Sequence, residues 1–153
     1  MVFTKEMIIE NLKKKVYATL VTSGEKGLTS RTMTFGFSPN DKIFLLTHKG
    51  TPKLNDISFS KQGLMHLGSI GDDVTQSFDI SVTGTFELIE PDNDLYWMGL
   101  DLLGEKTPQV KDMLVSDEDA RSHYQMILFH ITNLSGWNYI QVLSGMPKTM
   151  LID

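Results

Sequence analysis

The sequence predicts an α+β fold: a small antiparallel β-barrel of about six to seven strands with flanking helices. Three observations carry this. The elements run helix, hairpin, strand, helix, two strands, helices, two strands, without the regular strand and helix alternation of a parallel sheet. The segments "VYATLVTS" and "LTSRTMTFGFS" flank a "GEKG" turn, the pattern of a β-hairpin. From 78 to 88, Phe78, Ile80, Val82, Gly84, Phe86 and Leu88 alternate with Asp79, Ser81, Thr83, Thr85 and Glu87, which predicts a half-buried antiparallel strand.

Taken in order, residues 4–15 form a helix with Ile8, Leu12 and Val16 on one stripe. Lys13, Lys14 and Lys15 fall at its end, where cations suit the dipole. After the hairpin, "PNDK" turns into "KIFLLT", a nearly all-apolar strand whose two faces should both be covered. Thr51 as cap and Pro52 at the first position start a second helix, with Leu54, Ile57 and Ser58 inward. "GLMHLGSI" is a strand and "GDDVTQS" an acidic loop before the alternating strand. Residues 91–115 are helical, interrupted near Gly104 and Pro108. "HYQMILFHIT" and "GWNYIQV" read as two closing strands about a turn at Gly136, and "PKTMLID" as a tail.

A length of 153 residues fits one domain, with no repeat, linker or low-complexity segment. Hydrophobic residues at 41% and charged ones at 22% are ordinary globular usage. The net charge of −5 supplies no general attraction to nucleic acid or to an anionic membrane, so neither is expected as a partner. Without cysteine, disulfides, thiolate metal sites and a cysteine nucleophile are excluded. The first residues lack the apolar stretch of a signal peptide and no run is long enough to span a membrane; the expected compartment is the cytoplasm.

The motifs exclude more than they assign. His48, His66, His123 and His130 match no metal-ligand spacing, there is no GxSxG elbow, and neither Gly-rich phosphate loop occurs. One anomaly remains in "TSRTMTFGF": along an extended strand Arg31 falls in phase with Met33, Phe35 and Phe37. A guanidinium in an apolar face requires an anion. Thr51, Pro52 and Lys53 at a helix start offer a hydroxyl, backbone N–H groups and an ammonium, a setting suited to phosphate, and Arg31 could join it from the neighbouring strand. Equally, Arg31 could pair with Asp79 or Glu87 and leave Lys53 in solvent; spacing does not choose between these.

The stretch "YATLVTSGEKGLTSRTMTFGF…KIFLLTHKGTPKLNDI…FDISVTGTFELI" resembles the FMN-binding split-barrel flavoproteins related to pyridoxamine 5′-phosphate oxidase, particularly the general stress protein branch. The resemblance covers roughly residues 16–90 and rests on the order of several weak motifs. It implies a split barrel, FMN as cofactor, and a homodimer with FMN at the subunit interface. It implies that Arg31 binds the phosphate, that Thr32, Met33 and Thr34 meet the flavin ring, and that Leu46, Thr47 and His48 end the next strand beside the cofactor. Thr51 and Lys53 would hold the phosphate, Gln76 would contact the flavin from its loop, and Trp137 would line the site.

This chain also departs from the oxidase. Pro52 replaces one phosphate cation, Asp79 stands where a glutamine is usual, and "PKTMLID" lacks the substrate arginine motif. Flavin binding is therefore expected and pyridoxamine phosphate oxidation is not. The expected activity is that of a small oxidoreductase on an unidentified small molecule, with hydride or electron transfer performed by the cofactor and no side chain assigned as catalytic. A flavin-holding stress module without turnover, or the same barrel around another phosphorylated cofactor such as a deazaflavin, are the alternatives.

Overall fold

The computed structural model describes residues 2–39, 41–69 and 73–152. Among them are eight strands and six α-helices: α1 (Lys5–Lys14), β1 (Tyr17–Gly24), β2 (Gly27–Thr34), β3 (Gly36–Ser38), β4 (Lys42–His48), α2 (Pro52–Phe59), β5 (Gln62–Ser69), β6 (Phe78–Ile89), α3 (Asp94–Lys106), α4 (Pro108–Ser116), α5 (Glu118–Ser122), β7 (Tyr124–Asn138), α6 (Tyr139–Leu143) and β8 (Thr149–Ile152). A 3-10 turn at Val74–Gln76 precedes β6, and position 40 of the "PNDK" turn, position 70 at the end of "GLMHLGSI" and positions 71–72 of "GDDVTQS" lie outside the described residues.

One antiparallel sheet runs β2-β1-β5-β6-β7-β4-β3, with β8 added to β7. The predicted hairpin forms in register from Tyr17 opposite Thr34 to Gly24 opposite Gly27. Gly27 has φ of +113°, a conformation that side chains with a Cβ rarely adopt, and so closes the turn. β2 has a ladder partner only in β1, yet it approaches β4 from across the barrel. The sheet thus curls until these two strands come close without a ladder between them. That seam is the split of the barrel.

Two cores result. The barrel interior collects Leu20, Phe35, Ile43, Leu45, Met65, Ile80, Val82 and Phe129, with Ile8 and Leu12 of α1 entering it. The second lies outside the barrel, where Phe44, Met126 and Leu128 meet Tyr96, Leu100, Leu103 and Leu114 of α3 and α4. β4 is accordingly covered on both faces, as its unbroken apolar sequence requires: Ile43 and Leu45 face one core and Phe44 the other.

The structure corrects several expectations. There are eight strands against the six to seven expected: "LTSRTMTFGFS" divides at Phe35 into β2 and β3, the tail "PKTMLID" contains β8, and the two closing strands are one. The closing pair is a single long strand, β7, that passes through Gly136, and "YIQV" belongs to α6, started by a capping box in which Asn138 and Gln141 bond reciprocally. α5 escaped the periodicity because five residues are too few to show one. β2 ends at Thr34, so Phe35 and Phe37 do not continue the face of Arg31; both are buried in the barrel. In β6 the alternation slips at its end, leaving Leu88 exposed and Ile89 buried. A register shift against β7 after Thr83 accompanies this.

Candidate functional site

The seam between β2 and β4 opens into a cavity of about 350 Å³. Arg31, Thr32, Met33 and Thr34 line it from β2, Leu46, Thr47 and His48 from β4, and Lys53 from α2, with Leu103, Thr107, Val110 and Tyr124 completing the wall. Eight residues expected at a cofactor site from sequence therefore border one hollow. Thr51 adjoins it through Thr47, whereas Gln76 lines a separate cleft beside Phe3 and Phe78, and Trp137 lies against Lys148, whose Nζ is 4.9 Å from its ring centre.

Each cation is positioned by hydroxyls. Lys53 Nζ donates to Thr47 Oγ1 at 2.7 Å, Thr47 and Thr51 share a 3.0 Å bond, and Thr51 donates to the His48 carbonyl at 3.0 Å. Thr51 occupies the N-cap of α2, yet its hydroxyl makes no cap bond, being turned toward β4. Burial lowers the Lys53 pKa first, and the positive charge of Arg31 lowers it further. The two cations therefore feel one another across the cavity.

Arg31 does pair with an acid, though with neither Asp79 nor Glu87, which lie against His66 and His130. Its guanidinium donates to Thr22 Oγ1 at 2.7 Å and to Thr29 Oγ1 at 2.6 Å. Both hydroxyls donate to Asp56 Oδ2 at 2.8 Å, and Asp56 itself is 3.6 Å from the guanidinium. The hydrogen bonds from Thr29 and Thr22 are the main reason the Asp56 carboxyl sits below its usual pKa, with Arg31 adding to it. Sequence reasoning missed Asp56, although a signal existed: it follows Lys53 by three positions and so shares its helix face.

The charge ledger is uneven. Arg31 and Lys53 contribute two positive charges and Asp56 one negative, and among the described residues no acid pairs with Lys53. An ammonium has three donors, of which the structure uses one. A cavity with surplus positive charge at one end and Met33, Leu46, Leu103 and Val110 along its wall suits an anionic group joined to an apolar body.

At the mouth, His48 stands edge-on to Tyr124 with centres 5.5 Å apart and stacks parallel to His123 at 6.1 Å. Among the described residues no group of three or more histidines or acids is placed to hold a metal, and no helix is long and apolar enough to cross a membrane.

No protein-family model and no curated protein matches the sequence. Solved structures do match the fold. A Clostridium acetobutylicum protein related to general stress protein 26, of the pyridoxinephosphate oxidase family, is 13% identical with a TM-score of 0.65, over 96% of this chain and 94% of that one. An FAD-binding protein from Mesorhizobium loti is 12% identical with a TM-score of 0.67, over 90% and 96%. The haem storage protein HutZ from Vibrio cholerae is 13% identical with a TM-score of 0.66, over 84% and 94%. Together with the sheet order, these likenesses show that the architecture is an α+β split barrel.

Proposed function

We propose that this chain, acting as one domain, binds FMN in the β2–β4 cleft and serves as a small oxidoreductase. The observation that carries the reading is the convergence of Arg31 and Lys53, remote in sequence, on one cavity whose lining includes no carboxylate, Asp56 standing beside Arg31 outside it. Arg31 and Lys53 would grip the phosphate, with Thr47 and Thr51 orienting the ammonium. Backbone and side chains of Thr32, Met33 and Thr34 would face the flavin ring, and Leu46, Leu103 and Val110 would keep water from it. When bound, FMN supplies hydride or electron transfer.

The reading includes a homodimer with the cofactor between subunits, which gives Gln76 and Trp137 a route to it that one chain does not provide. Exposed Tyr17 and Leu28, 65% and 75% accessible on the β1–β2 hairpin, support such a contact.

An absorption spectrum of the purified protein tests the cofactor: flavin bands are expected, and a haem Soret band in their place would reassign it. Bleaching by NADH or NADPH and recovery in air would separate an enzyme from a module that only holds flavin. In titrations, Arg31→Ala with Lys53→Ala should weaken FMN about 100-fold, roughly 3 kcal/mol, while riboflavin, lacking the phosphate, changes little. Equal losses for both ligands would overturn the proposed cradle.

A further inference from the structure

Two sides of the β2–β4 cleft belong to different layers: Arg31 to Thr34 come from the sheet, and Leu103 and Thr107 from the end of α3. The two layers meet where β2 stops. Phe35 and Gly36 follow Thr34, and there α3 lies directly on the chain: a Cβ added at Gly36 would stand 2.9 Å from Leu102 Cβ and 3.0 Å from the Leu103 backbone nitrogen. The missing side chain is what permits the approach.

One turn further along α3, Lys106 makes a second contact. Its ammonium donates to the Leu12 carbonyl at 3.0 Å and stands 3.3 Å from the centre of the Phe35 ring, and Leu12 and Phe35 are both fully buried. The setting suits a cation. Leu12 lies in the last turn of α1, where carbonyls have no amide ahead of them and the helix dipole is negative, and the face of an aromatic ring attracts positive charge. Leu100 and Leu103 hold α3 to the sheet by apolar packing, which has no direction; the hydrogen bond adds one, and fixes where the helix ends. Leu103 lies within one turn before Lys106 and Thr107 directly after it, and the Thr107 hydroxyl donates back to the Leu103 carbonyl at 3.0 Å.

We propose that Lys106 is a positioning residue of the cleft: it holds the end of α3 against the end of β2 and so sets how closely Leu103 and Thr107 cover the apolar body of the ligand. Lys106 is not part of the cavity lining and acts through those two residues. With flavin as the ligand, the assignment rests on the function proposed above. As a tie between α1, α3 and the junction of β2 with β3, it stands on its own geometry.

The test compares Lys106→Met, Lys106→Arg and Lys13→Met, the last of which removes an exposed cation from the same end of α1. Titrated with FMN and with riboflavin, Lys106→Met should weaken both by the same factor, about tenfold, because the helix wall meets the part that the two ligands share. Water reaching the ring should also blur the fine structure of the bound-flavin absorption band. Lys106→Arg, whose guanidinium likewise donates and stacks on aromatic faces, should recover most of the affinity, and Lys13→Met should change nothing. In the cofactor-free protein, Lys106→Met should speed amide exchange at residues 102–110 and 34–37 and leave β6 unaltered. Should Lys106→Met fail to fold, Lys106→Gln, uncharged yet able to donate, carries the same comparison. A loss confined to FMN would make Lys106 one more phosphate cation, and unchanged affinity with unchanged exchange would leave it without a role; either overturns the proposal. Faster exchange in a protein that never takes up flavin would keep the tie and end the flavin reading; flavin uptake that no Lys106 variant alters would end the positioning role alone.

Discussion

Asp56 holds two roles that oppose each other. Through Thr22 and Thr29 it fixes the Arg31 guanidinium at the cleft, and by its charge it offsets the cation that an anionic ligand needs. Its pKa is lowered in the folded state, so the stability it contributes is present above the ordinary carboxylate range and is lost as pH falls through the lowered value. Asp56→Asn should therefore lower stability at neutral pH and flatten the acid limb of a urea-unfolding profile; an unchanged acid limb would show that the hydroxyl network does not stabilise the fold. At this scale the sequence revealed the anomaly at Arg31 but not its partner. A period-two pattern says which side chains share a strand face, whereas the pairing of Arg31 with a helix carboxylate depends on where α2 lies over the barrel.

Among the elements, α1 and α3 are joined by one side chain. Lys106, in the last turn of α3, donates to the Leu12 carbonyl of α1 at 3.0 Å and stands 3.3 Å from the centre of the Phe35 ring. Burial pulls its pKa from an ordinary 10.5 down to about 8. Between these values the unfolded chain keeps a proton that the folded one releases, so Lys106 makes stability rise with pH from about 8 to 10.5. Lys106→Met should make that rise shallower in thermal or urea unfolding over the interval, leaving the smaller contribution of Lys53, whose pKa is also lowered. Elements were legible where a period was long enough. β1, β4, α1 and β6 follow their patterns, while the aromatic and branched run "YIQV" imitated a strand although Asn138 and Gln141 spelled a helix start. β8 left no local trace because long-range bonds place it: Gln141 donates to Thr149 Oγ1, and Thr149 donates to the Phe3 carbonyl.

For the whole molecule, fold class could be read from composition and element order, but the strand order β2-β1-β5-β6-β7-β4-β3 could not, since it is set by which faces bury together. If two copies enclose the flavin, stripping the cofactor should shift sedimentation toward the monomer in a concentration-dependent way. A monomer with full flavin occupancy would contradict the shared site. The seam between β2 and β4 has a mechanical consequence. Neighbouring strands on the sheet path are zipped by amide hydrogen bonds, whereas β2 and β4 share no ladder and are tied only where β2 runs on through Phe35 into β3, which pairs with β4. Parting β2 from β4 at the end remote from Phe35 breaks no backbone pairing between them, so the geometry of the cleft is set there by packing and by α2 and not by a ladder.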